Sequence, residues 1–122
     1  MIDRSWAETF AKEWVDAWNS HDLERILSHY RDDFQMTSPL IVARMGVKSG
    51  TLNGKEAVRK YWSQGLEMTP DLHFDLSSTI VGVNSIAIIY RSVTAKRVEV
   101  EILEFDEARK VIRAEALHGS QE

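Results

Sequence analysis

Apolar positions near the N-terminus recur with the period of a helix. At about 100° per residue, Trp6, Ala7, Phe10, Ala11, Trp14, Val15, Ala17 and Trp18 fall in one half of the wheel, and Glu8, Thr9, Lys12, Glu13, Asp16 and Asn19 fill the other. The pattern predicts a helix with one buried and unusually aromatic face. Ser5 and Glu8 have the S-x-x-E spacing of a capping box, which places its start at Ser5. A second helix is expected from Asp22, whose short carboxylate can accept free backbone N–H groups of a first turn. Leu23, Ile26, Leu27 and Tyr30 then follow at i, i+3, i+4 and i+7. Arg31-Asp32-Asp33 reads as a turn. Phe34, Met36 and Ser38 alternate with Gln35 and Thr37 in a short first strand that ends at Pro39, which has no N–H for a ladder.

Leu40 to Leu52 is too apolar for a free linker and too interrupted by Gly46 and Gly50 for a long element, so it reads as a loop or short helix against the sheet. Asn53-Gly54 opens a third helix from Lys55 to about Leu66, with Ala57, Val58, Tyr61, Trp62 and Leu66 on one side, and Pro70 prevents its continuation. From Leu72 the period changes to two. Leu72, Phe74, Leu76, Ser78 and Ile80 alternate with polar neighbours, Ile86 to Thr94 is a largely apolar strand, and Val98, Val100 and Ile102 alternate with Glu99 and Glu101. Asp106 to Lys110 is a turn before a last strand, Val111 to His118. Helices first and strands afterwards imply an α+β fold, with three N-terminal helices packed on the concave face of a curved antiparallel sheet.

The segments W-N-S-H-D-L-E, Y-R-D-D-F, T-S-P and N-G-K-E-A-V-R-K-Y-W, in this order and spacing, resemble the NTF2-like superfamily in its SnoaL-like and ketosteroid-isomerase branch. The resemblance covers nearly the whole chain and implies one cone-shaped domain, residues 1–122, around an apolar cavity. That superfamily hosts isomerases, cyclases, dehydratases, hydrolases and non-enzymatic modules, so the fold alone selects no function. The isomerase branch implies a tyrosine on the first helix, an aspartate base beside the strand-one proline and a second acid on the penultimate strand. These positions fall on Trp14, Ser38 and Val98. An unassisted serine hydroxyl cannot take a carbon-bound proton near neutral pH, so steroid isomerisation by that mechanism is not expected.

Composition narrows the field further. A net charge of −4 argues against a nucleic-acid partner or an anionic membrane surface. With no cysteine there is no disulfide framework, thiol nucleophile or thiolate metal site. The N-terminus MIDRSWAE lacks a basic-then-apolar signal pattern, no apolar run approaches the ~20 residues that span a bilayer, and a cytoplasmic protein is expected. Gly54-Lys55 lacks the glycine loop of a phosphate site, and no cofactor is expected. His21, His29 and His73 show no metal-ligand spacing and read as surface residues.

The candidate catalytic residues are His118 and Tyr90. His118 is in phase with Ile112, Ala114 and Ala116 on the last strand, and serves either as a cavity acid or base or as a residue of the open rim. If the Thr94–Val98 hairpin holds three loop residues, Tyr90 and Ser92 point inward with Val98, Val100 and Ile102, while Arg91 lies outside opposite Glu99 or Glu101. A two-residue loop would bury Arg91 instead. Trp14, Trp18, Tyr30, Phe34 and Trp62 form either a plain core or a ligand box, and small Ala114 and Ala116 opposite them would leave space. The expected ligand-binding set is therefore Trp14, Trp18, Tyr30, Ser38, Trp62, Ser92, Val98, Ala114 and Ala116. Two functions follow. One is binding of a small, mostly apolar organic molecule, with lyase, isomerase or hydrolase chemistry through His118 and Tyr90. The other is a non-catalytic dimerisation or protein-association module with a filled cavity. A homodimer is expected through an outer sheet face bearing Glu99, Glu101, Arg113, Glu115, Leu103, Val111 and Leu117.

Overall fold

The computed structural model describes all residues, Met1–Glu122. In chain order the elements are α1 (Arg4–Ser20), α2 (Leu23–Leu27), β1 (Tyr30–Thr37), α3 (Pro39–Met45), β2 (Thr51–Asn53), α4 (Lys55–Met68), β3 (Phe74–Val81), β4 (Ser85–Ser92), β5 (Arg97–Phe105) and β6 (Val111–His118). The strands form one sheet in the order β2-β1-β6-β5-β4-β3, antiparallel throughout except for the parallel pair β1 and β6. The α+β architecture expected from the chain is thus present, with a mixed, curved and unclosed sheet. No helix is long and apolar enough to cross a membrane.

Local chemistry accounts for most boundaries and for two departures. The N-cap of α1 is Asp3, which accepts from Trp6 N at 3.0 Å, so Ser5 lies inside the helix and the expected Ser5–Glu8 box does not start it. A carboxylate also gains from the positive end of the helix, which a hydroxyl does not. The helix ends at His21 in the left-handed region, φ 61°, with the ring Nε2 2.9 Å from Leu72 O. Asp22 caps α2 by accepting from Arg25 N, as expected, but α2 stops at Leu27 and Tyr30 already belongs to β1. Arg31-Asp32-Asp33 is strand, not turn. Tyr30 pairs with Val111 and Gln35 with Arg113, and the register shifts between these two rungs, so the turn-favouring residues sit exposed in an irregular stretch of ladder.

The apolar face of α1 lies on the sheet as anticipated, with Ala7, Phe10, Ala11, Trp14, Val15, Ala17 and Trp18 all buried. Its aromatics continue into two groups. Trp6 and Phe10 meet Phe105 edge-on at 5.2 and 5.0 Å, whereas Trp14 and Trp18 meet Phe74, Tyr90 and Trp62 at 5.1–6.0 Å. In β3 a bulge between Leu76 and Ser78 shifts the register, so Phe74 pairs with inward Ser92 and is buried while Ile80 pairs with Ala87 on the other face and is exposed.

The main correction concerns β5. Its buried positions are Glu99, Glu101, Leu103 and Phe105, while Val98 and Ile102 are 47% and 38% exposed. Glu99, Glu101, Leu103 and Val111 therefore do not belong to the outer face, and Val98, Val100 and Ile102 do not line the inside. The hairpin loop holds four residues, Val93 to Lys96, between the paired Ser92 and Arg97. Ser92 closes it by accepting from Lys96 N through its carbonyl and from Ala95 N through its hydroxyl. Large Leu103 and Phe105, 0% and 4% exposed, anchor this phase of the strand, and a period of two then carries both carboxyls inward.

Candidate functional site

A cavity of about 220 Å³ lies between α1, α3 and α4 and the concave side of β4, β5 and β6. Its apolar wall is Trp14, Trp18, Trp62 and Phe74, with Met36 from β1. Trp14 is fixed there because its Nε1 donates to Tyr30 Oη at 2.9 Å. Water occupies about 30 Å³ per molecule, and an apolar cavity of about 150 Å³ accepts benzene, so this space suits one substituted ring or two small fused ones.

The sheet wall is polar. The ladder places Glu99 between Tyr90 on β4 and His118 on β6, and Glu101 between Ile88 and Ala116. Glu99 Oε1 is 2.9 Å from Arg97 Nε and 2.6 Å from His118 Nδ1. The His118 Nδ1 is close to that oxygen, but its direction is not that of a hydrogen bond. Burial pushes the Glu99 carboxyl up, but the bonds and charges of His118 and Arg97 more than offset it and hold the group below the ordinary value. Glu101 has no such partners. It is 3% exposed, hydrogen-bonds to nothing in the chain, and burial together with the nearby Glu99 charge pushes its pKa up to about 8. Adjacent inward positions of one strand thus hold an ionised and a neutral carboxyl at pH 7.

The Tyr90 hydroxyl faces Glu99, and burial first, then the two carboxyl groups, push it well above its ordinary value, so it remains a donor. His118 is 13% exposed in its side chain, and its Nε2 is buried without a protein partner. In a neutral ring, the tautomer with its proton on Nδ1 would leave the Nε2 lone pair free. Ser38 is the N-cap of α3, where its Oγ accepts from Leu40 N at 3.2 Å and Tyr61 Oη lies 3.5 Å away. Its oxygen serves the helix end, which adds a structural reason why it is not a base.

The structure therefore brings Trp14, Trp18, Ser38, Trp62, Tyr90, Ser92, Ala116 and His118 to one cavity. It does not bring Tyr30, Val98 or Ala114 there. Tyr30 stands behind Trp14, Ala114 is covered at its pairing with Met36 and Leu103, and Val98 is on the outer face. Arg91 lies outside, as favoured from the sequence, but it pairs with Glu122 and not with Glu99 or Glu101. His29 pairs with Glu13, His73 with Asp75, and no group of three or more metal-ligating side chains is present. The sequence reading missed Glu99, Glu101, Arg97, Arg44 and Tyr61 as lining residues. The available signal was Leu103 and Phe105, two large apolar residues in phase with the carboxylates.

The SnoaL-like domain profile matches residues 11–113. The chain belongs to the SnoaL-like family of the NTF2-like superfamily. A SnoaL-like protein of unknown function from Burkholderia thailandensis is 47% identical over 98% of both chains, with a TM-score of 0.94. An NTF2-like protein of unknown function from Burkholderia pseudomallei is 16% identical, covering 93% of this chain and 90% of its own, with a TM-score of 0.74. TerC, crystallised with polyporic acid, is 15% identical over 93% and 92% of the two chains, with a TM-score of 0.73. At such identities the last two share the fold alone. No curated protein matches this SnoaL-like chain in sequence.

Proposed function

We propose that residues 1–122 act as one SnoaL-like domain that binds a small, largely apolar carbonyl compound in the cavity and moves a proton on it. The observation that carries this reading is the buried pair on β5, with Glu99 ionised against His118 and Arg97 and Glu101 neutral beside it. A carboxyl kept neutral can donate a proton, and an ionised one facing a histidine can orient it and stabilise its charged form as a base. The alternative of an association module required a filled core, and a cavity of about 220 Å³ with converging polar groups supports ligand binding instead.

In the proposed step the carbonyl oxygen accepts the Glu101 proton while His118 Nε2 takes a proton from the adjacent carbon. The C–H electron pair becomes the C=C bond, and the carbonyl π pair becomes the O–H bond of an enol. Imidazolium then faces the Glu99 carboxylate, and Glu101 is left ionised. Return of the proton to carbon, at the same or a conjugated position, restores both groups. Tyr90 is a second donor close to the reacting oxygen, and the aromatic wall excludes water and holds the ring plane.

A neutral bicyclic ketone, 2-tetralone, tests this reading. Binding is expected to quench tryptophan fluorescence, since Trp14, Trp18 and Trp62 line the space. Exchange of its C1 protons in deuterated water, followed by proton NMR, is expected to exceed the buffer rate and to fall by roughly 10²-fold or more in His118→Ala and Glu101→Ala. It should also fall as pH rises through about 8, where Glu101 loses its proton. Quenching without enzyme-dependent exchange would leave a binding protein and remove the catalytic role.

A further inference from the structure

The cavity mouth carries a cation that no other part of the protein uses. Arg44 on α3 is exposed, lines the cavity and makes no ion pair, whereas every other arginine meets a carboxylate or, for Arg109, the face of Trp6. Its charge is felt at Tyr61 in the cavity wall. Arg44 lies beside Gly65, which also lines the cavity. A Cβ there would lie 3.3 Å from Arg44 Nη1, so the guanidinium rests against bare backbone in the interior of α4. Arg97, in the same lining, gives only its Nε to Glu99, leaving the two Nη groups free of protein partners. Deeper in, Trp18 Nε1 is a buried donor without a partner. The cavity thus offers unpaired donors on Arg44, Arg97 and Trp18, in a protein whose net charge is −4.

We infer that the ligand is an acid, its carboxylate held at the mouth by Arg44 with the free fork of Arg97, and its ring and carbonyl lying inside. This rests on the reading of the cavity as a small-molecule site and narrows the substrate class to small aromatic or unsaturated oxo-acids. A planar guanidinium matches a carboxylate bidentately, and two of them at one opening also raise the local concentration of an anion.

Phenylpyruvate and its methyl ester separate the terms, since they share ring and ketone and differ in charge. Titration by tryptophan fluorescence at low salt is expected to show the acid bound roughly fivefold tighter than the ester or more, with the preference shrinking at high salt. Arg44→Gln should abolish most of this preference and Arg44→Lys should restore part of it. Lys48→Gln, which removes an equal charge from an exposed residue outside the cavity, should leave it intact. Equal binding of acid and ester by the wild type, or an undiminished preference in Arg44→Gln, would overturn the carboxylate inference while the cavity reading stands. Binding of neither probe would remove the cavity reading and this inference with it.

Discussion

Replacing Glu101 by glutamine should stabilise the protein, and more so as pH rises. The carboxyl is 3% exposed and its pKa is pushed from an ordinary 4.5 up to about 8 by burial and by Glu99. A raised pKa means that the folded state binds the proton more tightly than the unfolded chain. Below about pH 4.5 both states are protonated and the group is neutral in its effect. As pH rises towards 8 the unfolded chain ionises freely while the folded protein holds the proton, so stability is lost across that window. At about 1.36 kcal/mol per pKa unit, the loss is roughly 3 kcal/mol at pH 7 and approaches about 5 kcal/mol above pH 8. Glutamine keeps the size, removes the titration, and pays only the smaller burial cost of an amide. Urea unfolding followed by tryptophan fluorescence should therefore give similar midpoints for Glu101→Gln and wild type near pH 4.5, and a clearly higher midpoint for the variant at pH 8. The Glu99 contribution has the opposite sign, present above the ordinary carboxylate range and lost as pH falls through its lowered pKa, and it is common to both proteins. A difference that stays flat between pH 5 and 8, or a variant less stable at pH 8, would show that Glu101 is an ionised and paired group and would refute the proton-donor role.

Two other outcomes follow from the same geometry. Ala116→Leu extends into the cavity, where each added methylene is worth about 0.8 kcal/mol if it finds room. Unfolding should show little cost or a gain of up to ~2 kcal/mol with weakened 2-tetralone quenching, whereas a loss of ~1–3 kcal/mol would mean the space is already full. We also propose a homodimer through the outer sheet face, now assigned to exposed Val98, Ile102 and Leu117 beside Arg113 and Glu115. Light scattering should give twice 14.0 kDa for wild type and the monomer mass for Ile102→Lys, and a monomeric wild type would count decisively against it.

Much of the fold was legible from local signals. The aromatic face of α1, the Asp22 cap and the helix after Gly54 follow from periodicities and capping chemistry that each segment carries by itself, whereas the inward phase of Tyr90 and Ser92 was expected through a three-residue hairpin that the structure replaces with four. Absent from any local window was the register that joins the segments. In β5 either phase offers apolar residues, Val98, Val100 and Ile102 in one and Leu103 and Phe105 in the other, so burial of hydrophobic surface alone does not choose between them. The choice was made by a four-residue hairpin loop and by Leu103 and Phe105 packing into the core, and because side chains alternate strictly along a strand, one residue of shift turned Glu99 and Glu101 from surface groups into the cavity's partner for His118 and its candidate proton donor. Their ionisation was equally a tertiary property. Glu99 is ionised because β6 brings His118 across from it, and Glu101 is neutral because nothing in the folded chain does the same for it.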